Sequence, residues 1–218
     1  MIKIYSKKLD GERKLADSFY VREFACHDGS DTIYLDTALI DYLQRIRNWA
    51  GYPLIISSGY RTPTYNASIG GARSSYHTKG RAADIYVKDR KKSIYEIARF
   101  AQAIGIKGIE ENKDSNYIHV DTRPNKYYWI RENRKDRSVS SFGDACKWKE
   151  PTRSVKYLSE GDGVRWLQYW LTLWGYNITI DGKFGLKTRD AVRDLQRKRG
   201  LKTDGIAGEQ TRKALKGY

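Results

Sequence analysis

Apolar residues at Leu39, Tyr42, Leu43, Ile46 and Trp49 recur at steps of three and four, the spacing of one helical face. Asp36 ahead of them and Gly51 behind them supply a cap and a stop, so a helix is predicted there. A second helix is predicted over residues 93–103. The runs at 53–58, 83–87 and 117–121 predict strands. Strands and helices mix without a repeated βαβ rhythm, which predicts an α+β domain with a small central antiparallel sheet.

Farther along, Val164, Leu167, Leu171 and Trp174 again share a helical face, closed by Gly175. The strongest internal order follows. The segment Asp181-Gly182-Lys183-Phe184-Gly185-Leu186-Lys187-Thr188-Arg189-Asp190-Ala191 returns at one offset of 23 residues as Asp204-Gly205-Ile206-Ala207-Gly208-Glu209-Gln210-Thr211-Arg212-Lys213-Ala214. Each copy predicts an Asp-Gly turn, a short loop and a helix start capped by Thr or a polar neighbour. Between the copies Ala191, Val192, Leu195 and Gln196 fit one face, and Gly200 ends that helix. A separate all-α three-helix domain is thus predicted over 159–218, a size that can fold alone. Residues 131–158 are polar, aperiodic and contain Pro151. They read as a linker, which leaves 1–130 as the N-terminal domain.

Composition fits a soluble globular protein of one large or two modest domains, with 39% hydrophobic and 31% charged residues in a chain of 218. Net charge is +15, spread as 27 basic against 18 acidic residues over 1–149 and 14 against 8 over 150–218. Such a surface attracts polyanions: nucleic acid, anionic lipid or the phosphate-rich polymers of a bacterial wall. The charge is diffuse and no basic-aromatic nucleic-acid motif is present, so no nucleic acid partner is expected. No apolar run is long enough to span a bilayer, so no membrane insertion is expected. The start is too polar for a secretory signal, so synthesis in the cytoplasm and release by another route are expected. Cys26 and Cys146 are too few for a disulfide framework, and a single bridge between them stays open. A monomer is expected.

The chemistry concentrates in few residues. The chain has three histidines, and two of them lie in Ser75-Tyr76-His77-Thr78-Lys79-Gly80-Arg81-Ala82-Ala83-Asp84 and Tyr117-Ile118-His119-Val120-Asp121. Gly80 lets the chain turn between His77 and Asp84, and small Ala82 and Ala83 let the next strand pack closely. Two imidazoles and one carboxylate form the three-ligand set of a catalytic zinc site whose fourth position is open. Asp121 lies on the same strand face as His119, as a group holding the imidazole or as a proton acceptor. Cys26-His27-Asp28 reads instead as a loop around a small buried cysteine.

With Ser58-Gly59-Tyr60-Arg61 ahead of them, these segments resemble the M15 family of zinc peptidases over roughly residues 18–125. Its members are D-Ala-D-Ala carboxypeptidases and related peptidoglycan peptidases. The resemblance implies that His77, Asp84 and His119 bind one Zn2+ and that Arg61 pairs with a substrate carboxylate, a role that suits a guanidinium fork. It leaves Ser75 either donating to substrate or capping a turn. Several members carry a Glu or Asp three residues before the last His as general base, where this chain has Asn116. Asp121 is the first substitute, and Glu110, Glu111 and Asp114 are others.

Residues 159–217 resemble the peptidoglycan-binding domain 1 family, through Gly161-Asp162-Gly163-Val164, Leu167-Gln168, Gly175-Tyr176 and both Asp-Gly repeats. That resemblance implies binding to bacterial peptidoglycan, with anionic wall polymers as further partners. Trp166, Trp170, Trp174 and Tyr176 are either core or a stacking surface. The expected function is a zinc peptidase cutting peptidoglycan stem peptides, either a D-Ala-D-Ala carboxypeptidase or an L-Ala-D-Glu endopeptidase. A phage endolysin or bacterial autolysin would fit. A non-catalytic wall-binding protein is the alternative.

Overall fold

A computed structural model describes residues 1–218, which divide into two compact units at Gly143 and Asp144. In the first unit the elements run β1 (Ile2–Ser6), α1 (Lys7–Asp10), β2 (Lys14–Ala16), β3 (Phe19–Tyr20), β4 (Thr32–Asp36), α2 (Thr37–Ala50), β5 (Leu54–Ser58) and α3 (Pro63–Ser68). They continue as β6 (Ala82–Val87), α4 (Ile94–Ala103), β7 (Gly108–Asn112), β8 (Tyr117–Asp121), β9 (Tyr127–Glu132) and β10 (Lys135–Val139). The second unit holds α5 (Asp162–Leu173), α6 (Leu186–Lys198) and α7 (Glu209–Leu215). The α+β reading of the first unit and the all-α reading of the second both stand.

The main sheet has six strands in the order β10-β9-β7-β8-β6-β5. All neighbours are antiparallel except β7 and β9, which run parallel, so the sheet is larger than expected and mixed. Side chains alternate between its faces. Ala83, Ile85, Val87, Ile109, Ile118 and Val120 are buried on one face, which α2 and α4 cover. Trp49 of α2 stacks on Phe100 of α4, with ring centroids 4.5 Å apart. The helices form where the pattern placed them. The Asp36 carboxylate accepts from Ala38 N at 3.2 Å, Gly51 closes α2 in a left-handed conformation, and Ser93 with Glu96 makes a capping box on α4.

The linker assignment needs correction. β9 and β10 pair as a hairpin within residues 127–139, so the sheet takes in the first third of the stretch that read as a connection. β10 is an edge strand, Lys-Asp-Arg-Ser-Val, exposed on nearly every residue. With no buried face it carries no alternation to read, and its charges suit an edge that should not pair further. At the other end Val155 bridges to Ala207 and Glu160 to Lys183, while Glu150 forms ion pairs with Arg212 at 3.3 Å and Lys216 at 2.7 Å. Residues 150–160 therefore pack as part of the second unit.

In that unit Trp166 and Trp170 are buried, at 4% and 3% exposure, so they serve as core rather than as an exposed stacking platform. The Trp174 indole donates to the Leu215 carbonyl at 2.8 Å, and the Tyr176 hydroxyl to Asp194 at 2.8 Å. Thr188 and Thr211 do not cap their helices. Gly185 and Gly208 occupy the cap positions, and both threonines are buried one turn in. No helix of either unit is long and apolar enough to cross a membrane.

Candidate metal centre

β6, β8 and β7 lie side by side, and their register aligns Asp84 with His119 and His119 with Glu110. These three side chains share the face of the sheet opposite α2 and α4. His77 arrives from a single 3-10 turn, His77–Lys79, that ends at Gly80 in a left-handed conformation, with φ 65°. A Cβ at position 80 would overlap the Tyr34 carbonyl, so the turn that delivers His77 requires glycine there.

The three candidate ligands meet closely. His77 Nε2 lies 3.2 Å from Asp84 Oδ1 and 3.1 Å from His119 Nδ1, and the third side of the triangle, His119 Nδ1 to Asp84 Oδ1, is 2.9 Å. All three residues are buried. A tetrahedral ion with ligands at about 2.0–2.2 Å separates its donor atoms by about 3.3–3.6 Å, so a triangle with sides of 2.9–3.2 Å needs to open only by a few tenths of an ångström to hold zinc. The far nitrogens are spoken for. His77 Nδ1 donates to the Gly59 carbonyl at 2.7 Å, and His119 Nε2 faces Asp121 Oδ2 at 3.1 Å. These contacts fix the tautomers that leave His77 Nε2 and His119 Nδ1 as donors toward the centre. Donor chemistry, spacing and tautomers all fit a zinc ion.

Asp121 is fully buried, and Arg123 clasps it through Nε at 2.8 Å to Oδ1 and 3.0 Å to Oδ2, with Nη2 also on Oδ2. Burial raises its pKa, yet His119 and Arg123 outweigh that and hold it well below the usual carboxylate range. It stands on the edge of the imidazole away from the triangle. Gly108 makes room for it, because a Cβ there would overlap the Asp121 carboxylate. Neither Gly108 nor Arg123 was legible beforehand. Gly108 pairs with Asp121 only through the strand register, which no spacing along the chain encodes.

Arg61 lies at the centre as well, with Nη2 in an ion pair to Asp84 Oδ2 and Nε donating to Ser58 Oγ at 2.7 Å. Ser75 Oγ accepts from His77 N at 3.3 Å, a turn contact. Asn116 sits in the β7–β8 hairpin at φ 54°. The Cys26–Asp28 triplet gathers no metal set. Asp28 accepts from Thr62 Oγ1 at 2.5 Å and Ser30 N at 2.9 Å, and both cysteines are free thiols. His77, Asp84 and His119 are the metal-competent cluster of the chain.

Residues 17–121 match the Peptidase M15 family, and residues 160–215 match the peptidoglycan binding domain family. The N-terminal unit carries a peptidase M15 domain. Peptidoglycan L,D-endopeptidase MepK of Escherichia coli is 32% identical to the chain over 101 residues, 43% of this chain and 54% of the relative. The chain thus spans about half the length of the curated relatives it matches. Solved structures also align, among them two with TM-scores below 0.3. A Burkholderia AP3 phage endolysin is 38% identical over 29% of this chain and 24% of its own, at a TM-score of 0.28. A fused Zn-dependent amidase/peptidase/peptidoglycan-binding domain-containing protein of Clostridium acetobutylicum is 43% identical over 29% of this chain and 28% of its own, at 0.29.

The electrostatics of this centre give a pH test. Burial disfavours a charged His119, but Asp121 and Asp84 outweigh it and push the imidazole up to about 9, above its ordinary value of 6.5. A raised histidine pKa contributes stability that is fully present below about pH 6.5 and is lost as pH rises through about 9. Metal-stripped protein should therefore melt at progressively lower temperature from pH 6.5 to 9.5. With zinc bound the trend should weaken, since the ion binds neutral imidazole. Melting curves in chelator across that range test this, and a flat profile would refute it.

Proposed function

We propose that this chain is a zinc-dependent peptidase that hydrolyses an amide bond in peptidoglycan stem peptides while its second unit holds it on the wall. The observation that carries this reading is the buried His77–Asp84–His119 triangle, sized for zinc, inside an M15 domain. Zinc bound there would act as a Lewis acid on the scissile carbonyl and lower the pKa of the attacking water. The residues of the chain do the rest. Asp121 holds the His119 ring with Nδ1 inward, and Arg123 keeps Asp121 ionised. Arg61 neutralises the outer oxygen of Asp84 and offers a guanidinium at the centre for a stem-peptide carboxylate. Ser75 shapes the turn that presents His77.

The second unit supports substrate delivery through its match to a peptidoglycan binding family. Tethering a peptidase to its polymer raises the local substrate concentration without any new contact in the active site. The name of the E. coli relative favours an L,D bond such as L-Ala–D-Glu over the D-Ala–D-Ala bond. Incubation of the zinc-loaded protein with purified sacculi, followed by mass spectrometry of the released fragments, should find new amine and carboxyl ends within stem peptides. Chelation should abolish them. Glycan fragments with intact stem peptides, or no release at all, would refute the peptidase reading.

A further inference from the structure

The peptidase reading leaves one role unfilled, because hydrolysis requires a group that takes a proton from the attacking water. Asn116 occupies the position where several M15 members carry an acid, and an amide does not accept that proton. Four carboxylates are near enough in sequence to replace it, and geometry separates them. Asp121 is enclosed by Arg123 on both oxygens and faces the far edge of His119. Glu111 pairs with Ile118, and strand alternation turns it to the helix-covered face. Asp114 is committed to the neighbouring hairpin, accepting from Asn133 N at 2.7 Å and Arg134 N at 2.8 Å.

Glu110 remains. It is the cross-strand partner of His119 on the metal-facing side of the sheet, in the same transverse row as Asp84. Directly opposed residues place their Cβ atoms about 4.5–5.5 Å apart, so a glutamate side chain reaches the space in front of its neighbour. It is 8% exposed and forms no ion pair. Asn112 Nδ2 donates to its Oε1 at 2.9 Å, which orients the carboxylate. Burying a carboxylate costs free energy, and this one is held beside the metal triangle by an amide, with no arginine or lysine paired to it.

We propose that Glu110 is the general base of this enzyme, taking the place left by Asn116, with Asn112 as its positioning residue. Glu110 accepts one proton as the water oxygen bonds to the scissile carbonyl carbon. It passes that proton to the departing nitrogen as the C–N bond breaks. The net change is amide plus water to carboxylic acid plus amine, and the carboxylate is regenerated.

This inference rests on the zinc peptidase reading, so the test keeps the two apart. Full-length Glu110→Gln, an isosteric change, is compared with wild type for zinc content, melting temperature, and kcat and KM on a defined muropeptide. Zinc should stay at about one per chain and KM within about threefold, while kcat falls by about 10²–10⁴-fold, the span of general base catalysis. Formate should restore part of the rate to Glu110→Ala by entering the vacated space, a response that a structural role would not give. Glu110→Gln within about threefold of wild-type kcat would overturn the assignment, as would loss of zinc from that variant, which would make Glu110 a metal-holding residue instead. An inactive zinc-loaded wild type would overturn the peptidase reading itself.

Discussion

His119→Ala is expected to abolish release of stem-peptide fragments from sacculi, to drop zinc from about one per chain to near none, and to leave wall binding intact. The centre has three protein donors, and a catalytic zinc site needs all three because the fourth position belongs to water or substrate. His119 supplies one corner of the triangle, 2.9 Å from Asp84 and 3.1 Å from His77. Its removal leaves an imidazole and a carboxylate, too few to hold the ion against solvent at ordinary zinc concentrations. The fold should survive the change. Asp84 keeps Arg61 and Asp121 keeps Arg123, so neither carboxylate that His119 contacts is left without a counter-charge. The second unit carries its own helical core, and co-sedimentation with purified sacculi reads it separately from catalysis. Wild-type activity in this variant, or in chelated wild type, would refute the zinc mechanism. Loss of wall binding alongside activity would refute the division of labour between the units.

The residues at the centre of that experiment were legible because each is marked by a local signal: an imidazole in a chain that has three, glycine at a turn, alanines where strands crowd. The α2 and α4 helices were legible for a similar reason, since each writes its buried face, its cap and its stop into consecutive residues. What escaped depends on pairing across the sheet. Gly108 and Arg123 acquire meaning only once β7 and β8 are in register and Asp121 needs room and a counter-charge. The same register is what separates Glu110 from the other carboxylates that the sequence left open as the base. Asp121 itself was open between two roles until the side of the imidazole it occupies was known. β10 escaped for the opposite reason, because a solvated edge strand has no buried face to announce it. The helix starts in the second unit misled differently. Thr188 and Thr211 look like caps in sequence, but glycines take the cap positions and the threonine hydroxyls turn inward to a partner that lies outside either repeat.

That partner leads to the second large expected effect. Gln168→Ala should lower the melting transition of the second unit by about 8–32 °C while leaving the transition of the first unit in place. Gln168 is 1% exposed on α5, and its amide joins the first Asp-Gly loop from within. Nε2 donates to Asp181 Oδ1 at 2.8 Å and the Lys183 carbonyl at 3.1 Å, with Thr188 Oγ1 at 3.4 Å, and Oε1 accepts from Gly182 N at 2.8 Å. Gln196 on α6 repeats the arrangement on the second loop. It donates to Asp204 at 3.0 Å, the Ile206 carbonyl at 3.0 Å and Thr211 at 3.1 Å, and accepts from Gly205 N at 2.9 Å. Each Asp-Gly repeat is thus a loop locked by a glutamine from the preceding helix, which explains why the two loops match so closely. Truncation to alanine leaves the buried Gly182 N–H without its acceptor and frees the loop. Each stranded buried group costs about 1–3 kcal/mol, so a loss of about 2–4 kcal/mol is expected. A domain of this size holds only about 4–11 kcal/mol in total, and each kcal/mol moves its midpoint by about 4–8 °C. Differential scanning calorimetry of the full chain reads both transitions in one scan. Thr188→Val removes only the longest of the four contacts and should shift the midpoint far less. A Gln168→Ala midpoint within about 2 °C of wild type would mean that the loops hold their shape without the glutamine.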